Sequence, residues 1–361
     1  MHTFIALLSL FFLSLWASPS EASKPLPPPN VRLHIFPKHP HWLQHEAHRT
    51  LQLDMSLKCP PKRRVQLQFM QVYLIKRGRS THILTYTARQ LLTYAQKWTT
   101  AQTWRPHHDT TLPPGKILYL PLPTIRSVKP YIDTLLVKIF LKSKQHRISR
   151  TFTIKPRPLK PQRKWLFPVR GLWWVAGGTR PGMPHRQRLA LRNSGTPFVP
   201  QRHALDLIKI APDNTILRGS PRKNKSYLGF GQKVYAPAAG IVLKAIGHIP
   251  DRPPGHPAPS PRWGNMLLLK HAPKRYTFLA HLQHNSLKVR VGMKVKQGQH
   301  LANVGNSGNA STPHLHIQLR DHAESKRAHP LPLLFWNIQP LFIARPRLPF
   351  TLEDGQIIQT R

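Results

Sequence analysis

The chain has 361 residues, with 55 Lys+Arg against 12 Asp+Glu and a formal net charge of +43 at pH 7. Charge of that size argues for polyanionic surroundings and long-range attraction, not for a particular fold. The chain has no zinc-finger spacing, no RNP-like aromatic motif and no helix-turn-helix pattern, and its basic residues run along the whole length, which speaks against specific nucleic-acid recognition. The one cysteine, Cys59, excludes an intramolecular disulfide, so the fold must hold by core packing alone.

The first predicted element is an export signal over residues 1–22. Phe4 to Ala17 is apolar but too short to span a bilayer comfortably, and Ser20 and Ala22 offer a small-x-small cleavage pattern before Ser23. The region before the apolar core carries only the amino terminus and His2, so retention as an uncleaved anchor stays open. No cysteine follows the core, which argues against a lipoprotein, and no other segment reads as a membrane span. The expected location is the periplasm, the cell envelope or the exterior.

Residues 23–158 read as an N-terminal all-β domain. Ser23 to Asn30 is a Pro-rich extended leader. Leu51, Leu53, Met55 and Leu57 alternate with other residues, as do Leu135, Val137, Ile139 and Leu141, and Thr151 to Ile154 closes the region. This period-2 pattern with Pro-rich turns predicts a β-sandwich-like fold. One amphipathic helix is predicted over Thr87 to Thr99, and Cys59 is expected to be buried. The histidines here show no ligand spacing, and a spacer, a wall-binding module or a lid are all open as roles. Lys155 to Trp165 reads as a Pro-rich basic linker, with the domain junction at 159–167. Prolines total 39, about twice the average usage of roughly 5 %, which makes long helices unfavourable.

Residues 168–340 form the second predicted domain. Trp173 and Trp174 fall in a strand, GLWWVAGG, where one ring could line a groove or both could serve the core. Asp251 to Arg262 is unpatterned and predicts a loop beside a cleft. Gly264-Asn265 predicts a tight turn into the strand MLLLK. His281 closes the strand-like run YTFLAHL, and Gly292, Gly298, Gly305 and Gly308 punctuate short strands. His314-Leu315-His316 follows. In a strand these two histidines project from one side, where imidazoles suit zinc ligation and base chemistry together. Pro330 to Phe350 adds one or two strands, and the tail, 341–361, is expected to be loose at its end.

The run AHLQHNSLKVRVGMKVKQGQHLANVGNSGNASTPHLH closely resembles the signature of the LytM/lysostaphin-like zinc metallopeptidases, which cut peptides in bacterial cell walls. Gln201 to Asp206, GFGQKVYAPAAGIVLKAI at 229–246, and Trp263-Gly264-Asn265 continue the resemblance in order, over roughly Pro168 to Trp336. It implies an all-β, antiparallel peptidase core and one zinc ion per chain. It also implies hydrolysis of peptidoglycan cross-links or stem peptides through a metal-activated water. His316 and Asp206 match two of the ligands. The usual first ligand is a histidine four residues before the Asp, but His203 stands only three before it. The segment from His185 to Leu191 followed by QRHALD resembles a variant in which the histidine comes from a preceding loop. His185, Asp206 and His316 are therefore the expected ligands, with His203 as the alternative to His185. The resemblance gives His281 and His314 the roles of proton acceptor and oxyanion or leaving-group partner, in an order left open. The chain has no HExxH helix to supply a glutamate base. With export, the polyanions facing the basic surface are the envelope's own polymers, or the charge is simply a solvated surface. A LytM-like adaptor that binds and activates other wall hydrolases is the alternative to an enzyme.

Overall fold

A computed structural model describes residues 31–36, 41–44, 49–61, 64–76, 78–93, 95–98, 104–122, 125–127, 134–143, 146–158, 164–178, 183–192, 197–341, 352 and 355–360. The signal segment, the Pro-rich leader, residues 159–163 of the linker and 342–351 of the tail lie outside them. No helix among the described residues is long and apolar enough to cross a membrane.

The structure is nearly all β, and its sheets are almost wholly antiparallel. Two large, separate apolar cores form among the described residues, beside a small cluster of Met266, Leu268, Phe278 and Ala280. One draws on residues from Val31 to Ile154 and the other on residues from Trp165 to Ile358. In the first, the alternating side chains Leu51, Leu53, Met55 and Leu57 are at most 1 % exposed, as are Leu135, Val137, Ile139 and Leu141. Cys59 is buried with them, and burial pushes its thiol up to about 12. The strand Thr134–Ser143 pairs on one side with His146–Ile154 and on the other with Val65–Lys76. Asp54–Lys58 lies between Arg32–Phe36 and Ile117–Pro121 in a second sheet.

Three expectations need correction. The helix is one turn, Ala88–Leu92, closed at its start by Thr87, whose hydroxyl accepts from Gln90 N at 3.3 Å. A turn this short has little intrinsic stability, and Gln96–Trp98 gains more by pairing as a strand with Ile117–Pro121 and Trp104–Pro106. The junction with the second domain falls earlier than 167. Trp165 and Phe167 are buried in the second core, and Phe167 N donates to Asn337 Oδ1 at 2.6 Å. The chain end is not loose at Ile357–Thr360. That strand enters the second sheet between Leu172–Gly177 and Ile338–Pro340, because Ile358 pairs with the core residue Trp173.

The second domain is built on a ten-stranded antiparallel sheet. Its central order is Gly240–Ile246, Asn265–Ala272, Arg275–Leu282, Leu315–Arg320, Leu205–Lys209 and Leu172–Gly177. Leu205, Leu207, Leu267, Leu269, Leu279, Leu315, Ile317 and Leu319 turn one face into the core. The residues between them must face the other way. On that second face, in register, lie Met266, Ala280, His316 and Asp206.

Candidate functional site

Asp206 and His316 are directly paired across neighbouring strands, which puts both side chains on the sheet face opposite the core. His316 Nδ1 lies 2.8 Å from Asp206 Oδ1. His185 comes from the single-turn helix Pro184–Gln187, and its Nε2 lies 3.0 Å from Asp206 Oδ2. The three residues offer ligand atoms within 4.8 Å of one another. His203 is not part of this group. It sits in a turn, and the strand carrying Asp206 starts only at Leu205, so its sequence offset from Asp206 does not govern where it points.

The donor chemistry fits a cation. His185 Nδ1 lies 3.2 Å from the carbonyl oxygen of Ala204. A carbonyl only accepts, so Nδ1 carries a proton and Nε2 is the atom turned to the carboxylate. Two electron-rich atoms at 3.0 Å repel unless a proton or a metal lies between them. Two imidazoles and one carboxylate suit zinc and leave a fourth position open.

His281 and His314 are held in the same manner. His281 Nδ1 lies 2.9 Å from Ser307 O, and His314 Nδ1 lies 2.7 Å from Thr312 O. Both therefore donate from Nδ1 to a backbone carbonyl and present Nε2. Their rings are 4.8 Å apart, and His314 Nε2 is 3.6 Å from Asp206 Oδ1. His314 immediately precedes its strand, and the sheet thus brings all five of these residues together.

His281 reaches the site by a backbone irregularity. In a regular strand its side chain would fall on the core face beside Leu279. Asn265 pairs with Leu282 but Met266 pairs with Ala280, so His281 is an extra residue in a bulge, with φ of +59°. A bulge re-aims one side chain, and a non-glycine residue at positive φ is held there at some cost by its surroundings. The Ser307 carbonyl that holds it is itself fixed, since Ser307 Oγ donates to Leu282 O at 2.7 Å and accepts from Asn265 N at 2.9 Å. Gly264 allows this approach, because a Cβ there would lie 2.4 Å from Ser307 C.

The electrostatics follow from burial. Burial alone would raise the Asp206 carboxyl, but the charges of His185 and His314 and the hydrogen bonds from His185 and His316 hold it well below the ordinary carboxylate range. Burial, reinforced by His314 and His316, holds His281 well below the ordinary imidazole range. Burial likewise lowers His316 to about 4 against the opposing pull of Asp206. Trp263 forms a wall, its ring 5.2 Å from that of His316 and 4.9 Å from that of Phe278.

Sequence reasoning passed over Trp263 as a site wall and the three carbonyls that orient the imidazoles. Backbone carbonyls leave no residue-type signal, whereas the aromatic directly before a positive-φ glycine could have been weighed. It also passed over Arg186 and Arg202, which lie beside His185 and shortly before Asp206 in the chain and are buried.

The profile of Peptidase family M23 matches residues 227–329, a span that contains His281, His314 and His316 and begins after His185 and Asp206. The cell division protein DipM of Caulobacter vibrioides (strain NA1000 / CB15N) is 42 % identical over 60 residues, which is 17 % of this chain and 10 % of that protein. This chain therefore spans about a tenth of that relative's length. Among solved structures, the catalytic domain of the prophage-encoded M23 protein EnpA from Enterococcus faecalis is 18 % identical. It covers 46 % of this chain and 92 % of its own, with a TM-score of 0.28. The catalytic domain of lysostaphin from Staphylococcus simulans is also 18 % identical, covering 45 % and 88 %, with a TM-score of 0.26. A putative peptidase M23 from Pseudomonas aeruginosa is 14 % identical, covering 75 % and 92 %, with a TM-score of 0.27. Residues 227–329, within the C-terminal domain, thus carry the match to Peptidase family M23, the LytM type.

Proposed function

We propose that the protein is an exported, zinc-dependent endopeptidase that hydrolyses peptide bonds in peptidoglycan cross-links or stem peptides. The observation that carries this reading is the convergence of five side chains on one point. His185, Asp206 and His316 gather their ligand atoms within 4.8 Å, and His281 and His314 present Nε2 beside them. One bound zinc would polarise the scissile carbonyl and lower the pKa of a bound water to near 7. His185, Asp206 and His316 would hold that ion. His281, kept neutral by burial, has a free Nε2 lone pair and takes the proton of the attacking water. His314, at the edge of the Asp206 carboxylate, would hydrogen-bond the oxyanion when its Nε2 carries a proton, and the proton that His281 takes from the water would pass to the leaving amine. The partly exposed Trp263 beside the site would border the extended peptide. The excess of 55 basic over 12 acidic residues concentrates the protein at anionic envelope polymers.

The test is metal analysis followed by digestion of purified peptidoglycan, with new amino termini read by mass spectrometry. One zinc per chain and zinc-dependent peptide cleavage are the expected results. Tight wall binding without any cleavage by the zinc-loaded protein would replace this reading with that of an adaptor for other wall hydrolases.

A further inference from the structure

The segments that carry the first two ligands are tied down from outside their own domain. Arg186, next to His185, is fully buried, and its guanidinium is hydrogen-bonded to the N-terminal domain. Its Nη2 donates to Asp54 Oδ1, its Nη1 donates to Gln52 Oε1 at 2.7 Å, and its carbonyl accepts from the Tyr119 hydroxyl at 3.3 Å. Arg202, four residues before Asp206, places its own Nη2 on Asp54 Oδ2. One carboxylate with no exposed surface therefore holds two guanidinium groups, one on each ligand-bearing segment.

We propose that Asp54 is a positioning residue for the metal group, so that the N-terminal domain is a structural part of the site and not a detachable spacer. This rests on the reading of His185, Asp206 and His316 as metal ligands. The Pro184–Gln187 helix is a single turn, too short to fix its own orientation. Its direct tie to the second ligand segment within the domain is His185 Nδ1 to Ala204 O, at 3.2 Å. Asp54 spans the same two segments from the opposite side. A buried guanidinium demands a hydrogen-bonded counter-charge, and in a chain with 12 acidic residues against 55 basic ones this carboxylate has few substitutes. Docking of the two domains and metal affinity are then coupled, and each strengthens the other.

The test compares full-length wild type with Asp54→Asn, and with Asp213→Asn as a charge-matched control at an exposed site. Two readouts are needed, zinc affinity by chelator competition and hydrogen exchange of the metal-free protein over residues 183–192 and 199–206. Asp54→Asn is expected to weaken zinc binding on the order of 10–100-fold, as loss of an outer-shell partner does. It should also speed exchange in those two segments while the Arg275–Leu282 strand stays protected. If Asp54→Asn fails to fold, Tyr119→Phe removes one bond to Arg186 and should speed exchange at 184–188 alone. A wild type that binds no zinc would defeat the metal reading while leaving the exchange comparison to decide the positioning role. Unchanged exchange in both segments, with unchanged zinc affinity, overturns the proposal.

Discussion

His185 Nε2 and Asp206 Oδ2 stand 3.0 Å apart although the two residues come from different local structures, a helical turn and a strand. The pairing is what favours His185 over His203 as the proposed first ligand. His185→Ala and His316→Ala should each abolish zinc retention, whereas His203→Ala should keep one zinc per chain. Metal content after gel filtration measures this, and zinc loss in His203→Ala with retention in His185→Ala would reverse the assignment.

The two remaining imidazoles should separate from the ligands in the same assay. His314→Ala and His281→Ala leave the His185, Asp206 and His316 atoms in place, so both variants should retain zinc. Each should lose on the order of 10²–10⁴-fold in kcat, the usual weight of a positioned acid or base. Zinc loss in His314→Ala would mean that the roles of His314 and His316 are exchanged.

In metal-free protein the buried imidazoles make stability pH-dependent with a definite sign. His281 and His316 titrate below the ordinary imidazole value in the fold, His316 at about 4. Unfolding restores their affinity for protons. Below about pH 6.5 the unfolded chain thus binds protons that the folded chain refuses, and stability falls as pH falls. The Asp206 carboxyl, lowered in the fold, contributes stability that is constant in this window and is lost only below the ordinary carboxylate range. Denaturant melts of chelated protein should lose stability as pH falls from 6.5 toward 4, by up to about 1.4 kcal/mol per pH unit from His316 and in the same direction from His281. His281→Gln should reduce that slope, and a flat profile would show that the two rings are solvated.

Much of this was legible in the sequence because local pattern and packing agree. The alternating Leu51 to Leu57 and Leu135 to Leu141 became core, and His314-Leu315-His316 turned two imidazoles to one side of a buried leucine. What stayed hidden depends on distant contacts. The bulge at His281 is set by pairing with Asn265 and Met266, and no residue type near it signals a change of face. Asp54 looks like an ordinary strand residue until Arg186 and Arg202, more than 130 positions away, close on it. The helix predicted over 87–99 was lost for the same reason, since strand pairing outside the window outweighed its periodicity.

The basic surface carries a prediction of its own. If attraction to anionic wall polymers is diffuse, binding should weaken steeply between about 0.1 M and about 1 M salt, as the Debye length falls from about 10 to about 3 Å. Pull-down on purified anionic polymer across that range measures it. Binding that ignores salt would point to a dedicated pocket.

Gly177 offers the sharpest probe of the carboxylate itself. It lies opposite Asp206 across a bulged pair of strands, and a Cβ there would come within 2.8 Å of Asp206 Oδ2 and 3.2 Å of its Cγ. That oxygen is the one facing His185 Nε2. Its φ is not in the left-handed region, so Gly177→Ala adds no backbone strain and acts through the new methyl group. The carboxylate must shift, because the one atom closer than 3.0 Å is its own Oδ2. Zinc affinity should fall by on the order of tenfold or more, with the thermal midpoint of the metal-free protein nearly unchanged. Gly229→Ala, whose Cβ would meet nothing closer than 3.6 Å, should alter neither quantity. Equal zinc affinities in the two variants would mean that Oδ2 is not a ligand.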